Sequence, residues 1–389
     1  MSRKQKLVKR FVEHAIIDRN LTAIGIMDFA GLEDTISSLK AAFPDNFSHT
    51  FAVKANPLIK VLEYIASTGV GAEVASPGEL MAALEAGFHT ENIVYDSPTK
   101  TTADLQSCIK NNISINIDNV QELQRIDQLM LQFPTSKSVI GFRINTQVGS
   151  GKILSTSTAT ATSKFGYALN DANNRQALLE IYKKRPWLTS LHSHSGSQGC
   201  SLELMIKGLH SIAELAEQIN HHIGEQQQIK RIDIGGGLPV NFLSEKVTPT
   251  FKEFSDKLSA AVSILFEDKY QVKTEFGRSI VTKNGVILTR VEYTKQTGGR
   301  HIALTHAGAQ VVNRTTLLPE LWPLRVSCFS PNGEEKTAAA NEVVATDIGG
   351  PCCFAGDLIC SNQQLPKLLP DDYVLIHDTG GYNFSSHYQ

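Results

Sequence analysis

The chain has 389 residues, 41% of them hydrophobic, and a formal net charge of −2. That length exceeds one average domain and suits two, with enough apolar content for a sizeable core. Nothing in the near-neutral balance points to nucleic acid or anionic membrane as a bulk partner, and no run reaches the roughly 18 apolar residues a membrane span needs.

In chain order, residues 1–14 are basic and mildly amphipathic and lack the apolar core of a secretory signal, so a solvated helix is expected there. From Asp28 to Gly277 short strands alternate with amphipathic helices. Eight strands are predicted: 49–55 (HTFAVKA), 71–76 (GAEVAS), 93–97 (IVYDS), 113–119 (ISINIDN), 138–145 (SVIGFRIN), 188–197 (LTSLHSHSGS), 230–237 (KRIDIGGG) and 271–277 (QVKTEFG). Between them, Leu58, Val61, Leu62 and Ile65 share one helical face closed by Gly69, and residues 202–222 repeat apolar positions at helical spacing. Ser76-Pro77-Gly78-Glu79 fits a capping box, which makes Glu79 structural. Eight βα units over about 250 residues predict a TIM (β/α)8 barrel over 28–277; an open doubly wound sheet is the alternative and usually has fewer strands. Residues 146–163, rich in Ser and Thr, read as a solvated loop, with a lid as the alternative. After Gly277, GVILTRVEYTKQ, RHIALTHAG and EVVATDIGG read as strands without long helices, so 278–389, with a strand from 1–27, are expected to form a second, all-β domain. The six cysteines form no CxxC pair and read as reduced thiols of a cytoplasmic protein.

A barrel places its chemistry at the C-terminal ends of its strands, and unusual polar residues fall there. Lys54 lies among Phe51, Ala52, Val53 and Ala55, in what reads as a buried parallel strand; a buried lysine is expensive unless it is neutral or bonded as an imine. His194 and Ser197 end the sixth strand, Gly235, Gly236 and Gly237 the seventh, Glu275 and Arg278 the eighth. Each has a plainer reading: a tight glycine turn, a core histidine, a Glu275–Arg278 pair. Together they offer a phosphate cradle of backbone N–H groups, a hydroxyl and a guanidinium, and an acid to protonate a pyridine ring. His192-Ser193-His194 could ligate a metal, but no carboxylate or cysteine sits at a convincing spacing, so no metal is expected. GPCCFAGD (350–357) and HDTGGYNF (377–384) could be ordinary turns.

FAVKANP, EVASPGEL, SKFG, HSHSGSQ, IDIGGG, EFGRSIV, GPCCFAGD and DTGGYNFS resemble, in order, the motifs of the fold-type III PLP-dependent decarboxylases, most closely the diaminopimelate branch, over about residues 23–389. The resemblance implies an alanine racemase-like PLP-binding barrel plus a β domain, with pyridoxal 5'-phosphate as cofactor and an amino acid as substrate. It implies that Lys54 is the Schiff-base lysine, His194 stacks on the ring, and Ser197, Gly235, Gly236, Gly237, Arg278 and Tyr382 hold the phosphate. Glu275 partners the ring nitrogen, and Cys353 reprotonates the substrate carbon across a homodimer interface. Arg314 keeps the arginine that grips a substrate carboxylate. Three positions depart from the family: Phe354 stands where an acidic residue holds the substrate's distal amine, Leu318 replaces a tyrosine, and Phe276 replaces a proline. The distal pocket is therefore expected to be altered. Family members usually continue beyond the residues after Tyr382, so a shortened β domain is also expected. The alternatives are an amino-acid racemase on the same fold, against which Glu275 and Cys353 argue, and a non-catalytic, antizyme-inhibitor-like binding homologue, against which the retained cofactor residues argue.

Overall fold

The computed structural model describes residues 1–18, 20–224, 227–337 and 342–386. The chain divides into two compact units: residues 33–240 with 248–280, and residues 1–32 with 241–247 and 281–389.

The first unit is a closed parallel barrel. Its strands are β1 (Phe47–Ala52), β2 (Gly71–Val74), β3 (Ile93–Tyr95), β4 (Ser114–Ile117), β5 (Ile140–Asn145), β6 (Leu188–His192), β7 (Arg231–Asp233) and β8 (Gln271–Phe276). They pair in the order β4-β3-β2-β1-β8-β7-β6-β5, and β4–β5 pairing (Ile115 opposite Ile140) closes the ring. All eight predicted strands are present. They read as continuous apolar runs because both faces of each strand are covered: β2 and β4 are buried at every position. The intervening helices begin where side chains can cap them. Thr101 and Thr250 form reciprocal capping boxes with Asp104 and Glu253, and Ser201 caps the long helix Leu202–Ile223, which buries Met205, Leu209, Ile212 and Ile219. At Ser76 only half of the expected box forms: the hydroxyl accepts the Glu79 N–H, but the Glu79 carboxylate takes the N–H of Ala75, one residue before the cap.

Three local expectations change. The first strand ends at Ala52, and Val53–Ala55 form a single 3-10 turn. Pairing runs out there, with Phe51 opposite Phe276 on β8 and Ala52 opposite Glu73 on β2, so the next amide bonds locally, Asn56 N–H to Val53 O. The sixth and seventh strands end at His192 and Asp233, shorter than expected, and His194, Ser197 and the glycine triplet lie on the segments that follow, where Glu275 N–H still bonds Gly235 O. Residues 146–163 are a loop only partly open to solvent. Ile153 and Ala159 are buried, and the segment is stitched to residues 195–199 by Lys152 N–H to Gly199 O, Thr158 N–H to Ser195 O and Ser197 N–H to Thr156 O. Three of its hydroxyls donate to the backbone: Thr156 Oγ1 to Gln198 O at 2.6 Å, Ser157 Oγ to Ile153 O at 2.9 Å and Thr158 Oγ1 to His194 O at 2.5 Å.

The second unit is built on a mixed seven-stranded sheet: β9 (Gly285–Thr297), β10 (Arg300–Thr305), β11 (Val326–Phe329), β12 (Val343–Gly349), β13 (Leu358–Pro366) and β14 (Tyr373–Ile376), in the order β11-β14-β9-β10-β12-β13, with the N-terminal strand Ala23–Met27 antiparallel to β9. One apolar cluster gathers Val291, Ala303, Ile348, Val374 and Ile376; another gathers Val8, Ile26, Leu288, Phe329 and Leu375. Val8 belongs to the N-terminal helix Arg3–Glu13, so one side of that helix is packed rather than solvated. All six cysteines are free. Among the described residues no helix is long and apolar enough to cross a membrane.

Candidate active site

Lys54 is carried on the 3-10 turn that follows β1, not within a buried strand. Its side chain is 43% exposed, and Nζ lies 2.5 Å from Oε2 of Glu73, whose side chain is 0% exposed. Glu73 faces inward from β2. Burial pushes its carboxyl above the ordinary range, and the Lys54 ammonium pulls it back.

Behind this pair lies a run of buried charge that comes from separate strands. Glu275 on β8 sits 3.3 Å from His192 Nε2 on β6, and His192 Nδ1 is 3.9 Å from Asp96, beyond β3. Asp96 in turn accepts from Arg143 on β5 at 2.7 Å. Burial alone would raise Asp96, but Arg143, aided by His192, outweighs it and holds the carboxyl well below its usual range. Glu275 moves the opposite way: burial first, then the charges of Glu73 and Asp96, raise it well above a normal carboxyl. Asp233, below it on β7, is raised to about 7 by burial and by Glu275. Asp96, His192 and Glu275 bring ligand atoms within 4.8 Å of one another. The spacing of the sequence offered no carboxylate to His192 because both come from other strands.

The glycine triplet packs against the loop that carries His194 and Ser197. Gly235 and Gly237 have φ of +65° and +94°, and a Cβ on Gly237 would meet Gly196 O at 1.8 Å. Gly236 N–H donates to His194 Nδ1 at 3.1 Å, which places any proton of a neutral imidazole on Nε2. Burial, then Arg143, lowers His194 well below the ordinary histidine range, in keeping with that neutral form. Arg278, at the start of a short helix after β8, lies 3.5 Å through Nε from Ser197 Oγ. One end of the barrel therefore gathers Lys54, His194, Ser197, Gly235, Gly236, Gly237, Glu275 and Arg278.

These residues suit a phosphorylated pyridine. The Ser197 hydroxyl and the Arg278 guanidinium meet beside the side-chain-free glycine triplet, where an oxyanion could be held. Glu275 Oε1 is buried without a hydrogen-bond partner, so a protonated ring nitrogen would satisfy it. A lysine amine stands at the mouth. The Pyridoxal-dependent decarboxylase, pyridoxal binding domain model matches residues 30–282. The chain belongs to this decarboxylase family. It is a PLP-dependent amino-acid decarboxylase, with the barrel and separate β unit of that fold. It is 30% identical to diaminopimelate decarboxylase of Pseudomonas fluorescens over 350 residues, covering 87% of this chain and 78% of that protein. The Aquifex aeolicus diaminopimelate decarboxylase is 27% identical over 360 residues, covering 92% of this chain and 81% of that one. The crystal structure of the Helicobacter pylori enzyme complexed with L-lysine superposes with a TM-score of 0.81 at 26% identity, covering 97% of this chain and 91% of the other. The Vibrio vulnificus lysine/ornithine decarboxylase complexed with cadaverine shares the fold, with a TM-score of 0.79 at 21% identity and coverage of 100% and 96%.

The remaining predicted site residues belong to the β unit of this decarboxylase. Arg314, on the helix Ala309–Leu317, has its guanidinium 4.6 Å from the centre of the Tyr382 ring and 5.3 Å from that of Trp322. Tyr382 adopts φ +68° in the turn after β14. Cys353 and Phe354 sit on the turn between β12 and β13, which Asp357 ties down by accepting the N–H groups of Cys352 at 2.7 Å and Ala309 at 2.6 Å. Cys353 is exposed, Phe354 is 44% exposed and Leu318 49%. Phe276, in the place of the family's proline, is instead a core ring of the barrel, packed 5.2 Å from Phe251 and 6.1 Å from Phe254. The sequence reading missed Glu73, Asp96 and Arg143 and weighed His192 only as a metal ligand. Glu73 and Arg143 are charged residues inside otherwise uncharged strands, and Asp96 directly follows one, the same signal that marked Lys54.

Proposed function

We propose that this enzyme decarboxylates an amino acid whose distal end is not an ammonium held by a carboxylate, and that it works as a homodimer sharing active sites. Phe354 carries the reading. It stands on the Asp357-tethered turn where the family's acidic residue would be, and an apolar ring gives a distal cation nothing to bind. Leu318, exposed in place of a tyrosine, supports the same change. The diaminopimelate decarboxylase relatives support the reaction type; the altered residues argue for a different substrate.

When bound, PLP supplies an electron sink for the charge left on Cα as CO2 departs. Lys54 anchors it, and Glu73 keeps that amine oriented and able to exchange a proton. Glu275 would hold the ring nitrogen in its protonated form. His194, fixed by Gly236, would lie against the ring, while Ser197, Gly235, Gly236, Gly237 and Arg278 would hold the phosphate, with Tyr382 as a further donor. Arg314 would pair with a carboxylate of the substrate. Cys353, given by the partner subunit, would supply the proton to Cα.

CO2 release across a panel of amino acids tests this reading, with diaminopimelate, lysine, ornithine and arginine beside amino acids that lack a distal amine. Turnover is expected to favour the latter, and borohydride should fix PLP on Lys54. A strong preference for diaminopimelate would overturn the pocket assignment, and covalent PLP in Lys54→Ala would overturn the anchor.

A further inference from the structure

A second cavity, of about 290 Å³, opens at the opposite end of the barrel, around the starts of β1 and β2. It takes no part in the mechanism above. Its wall includes Lys40, Ser48, His49, Asn92 and Lys273, with Asp45 as the one carboxylate among the lining residues, exposed at the rim. We propose that this cavity binds a small doubly charged oxyanion, the phosphate or dicarboxylate of a metabolite.

Lys273 is the centre of the argument. It is only 6% exposed, and among the described residues its ammonium makes no hydrogen bond and no ion pair within 4 Å, while Nζ itself still meets solvent. A largely desolvated ammonium with no protein partner favours an anion beside it. Two carboxylates lie near enough to influence it, but both are engaged further along the barrel: Asp233 accepts the Gly235 N–H, and Glu275 faces His192. Burial, then Arg231, pushes the lysine down to about 8, while Asp233 and Glu275 pull it back. It therefore still carries a proton at neutral pH. Lys40 adds a second cation from the rim, where its ammonium donates to Thr68 O.

His49 reports the sign of the local field. Burial, then the charges of Lys40 and Lys273, lower it to about 4. Its neutral ring, bonded through Nδ1 to Thr274 Oγ1 at 2.9 Å, serves as a polar wall and not as a third cation. Ser48 and Asn92 bring a hydroxyl and an amide. Two cations, one of them largely desolvated and without a protein partner, beside neutral donors in a cavity of small-molecule size, are the makings of an anion site.

The test titrates the PLP-loaded enzyme, so that the cofactor's own phosphate fills the catalytic end. Inorganic phosphate and malonate are added separately in calorimetry, at ionic strength held constant with chloride. Saturable binding of either anion below about 10 mM is expected, and the tighter of the two names the ligand source. Lys273→Met and Lys40→Ala should each weaken it at least tenfold. Lys40 is exposed, so its replacement keeps the test independent of any folding defect at Lys273. No saturable binding of either anion to the wild type, or unchanged affinity in both variants, would overturn the proposal.

Discussion

The Lys54 ammonium and the Glu73 carboxylate meet at 2.5 Å, but only the lysine reaches solvent. Glu73 is held fully buried, and burial raises its carboxyl before Lys54 lowers it again. The fold thus bears a desolvation cost to keep an anion beside the Lys54 amine. Glu73→Gln removes that cost along with the anion. The cofactor-free variant should be more stable than wild type, by about 1 kcal/mol, while turnover falls at least tenfold. Thermal unfolding and CO2 release measure the two; a loss of both stability and turnover would show that the pair supports the fold instead.

Gly237→Ala probes the proposed phosphate cradle. The backbone there is left-handed, and the new methyl would be driven onto Gly196 O at 1.8 Å. The loops carrying Gly237 and Ser197 must separate, so PLP affinity should drop by roughly tenfold or more, the equivalent of about 1.4 kcal/mol. Titration of the apoenzyme with PLP checks it. Unchanged affinity would remove the triplet from the cofactor site.

Phe354→Glu restores an acid to the turn between β12 and β13. Because Phe354 is already 44% exposed, the charge can be accommodated without burial in the β core. Activity toward substrates with a distal amine should rise relative to those without one, by about tenfold or more in kcat/KM. An unchanged ratio would show that this turn does not read the distal end.

Glu245 gives the β unit a pH dependence. Burial works against its ionisation, but hydrogen bonds from Lys4 at 2.9 Å and Arg325 at 2.7 Å outweigh it and bring the carboxyl down to about 2. A lowered acid contributes stability above its unfolded value, near 4.5, and loses it as pH falls from there toward 2. Its side chain is 58% exposed, so screening keeps the contribution below about 1 kcal/mol. Denaturation of Glu245→Gln should show it less stable than wild type at pH 7, with the gap closing between pH 4.5 and 2. A gap that persists below pH 2 would place its origin in packing.

Much of the barrel was legible because its strands are short apolar runs separated by helical periodicity, a pattern that needs no partner to be read. The positions of Glu275 and Arg278 followed from the same pattern. The 146–163 segment did not. Its serines and threonines look solvated in one dimension, and only folding brings them the backbone carbonyls of Ile153, His194 and Gln198 to which they donate. In the β unit, β9, β10 and β12 were visible, whereas β11, β13 and β14 were not; Leu358–Pro366 reads ICSNQQL in its middle and acquires its strand from pairing with β12.

The sequence by itself determined the barrel's eight strands, the order of the motifs and the lysine at the first strand's end. Tertiary structure decided what surrounds that lysine. Where β1 ends depends on where β2 and β8 stop pairing with it, so Lys54 emerged on an open turn rather than in a buried strand. Its partner Glu73, and the Glu275–His192–Asp96–Arg143 run behind it, come from strands tens of residues apart. Only closure of the ring brings their inward faces together, since burial and charge at one position are set by neighbours that linear spacing does not encode.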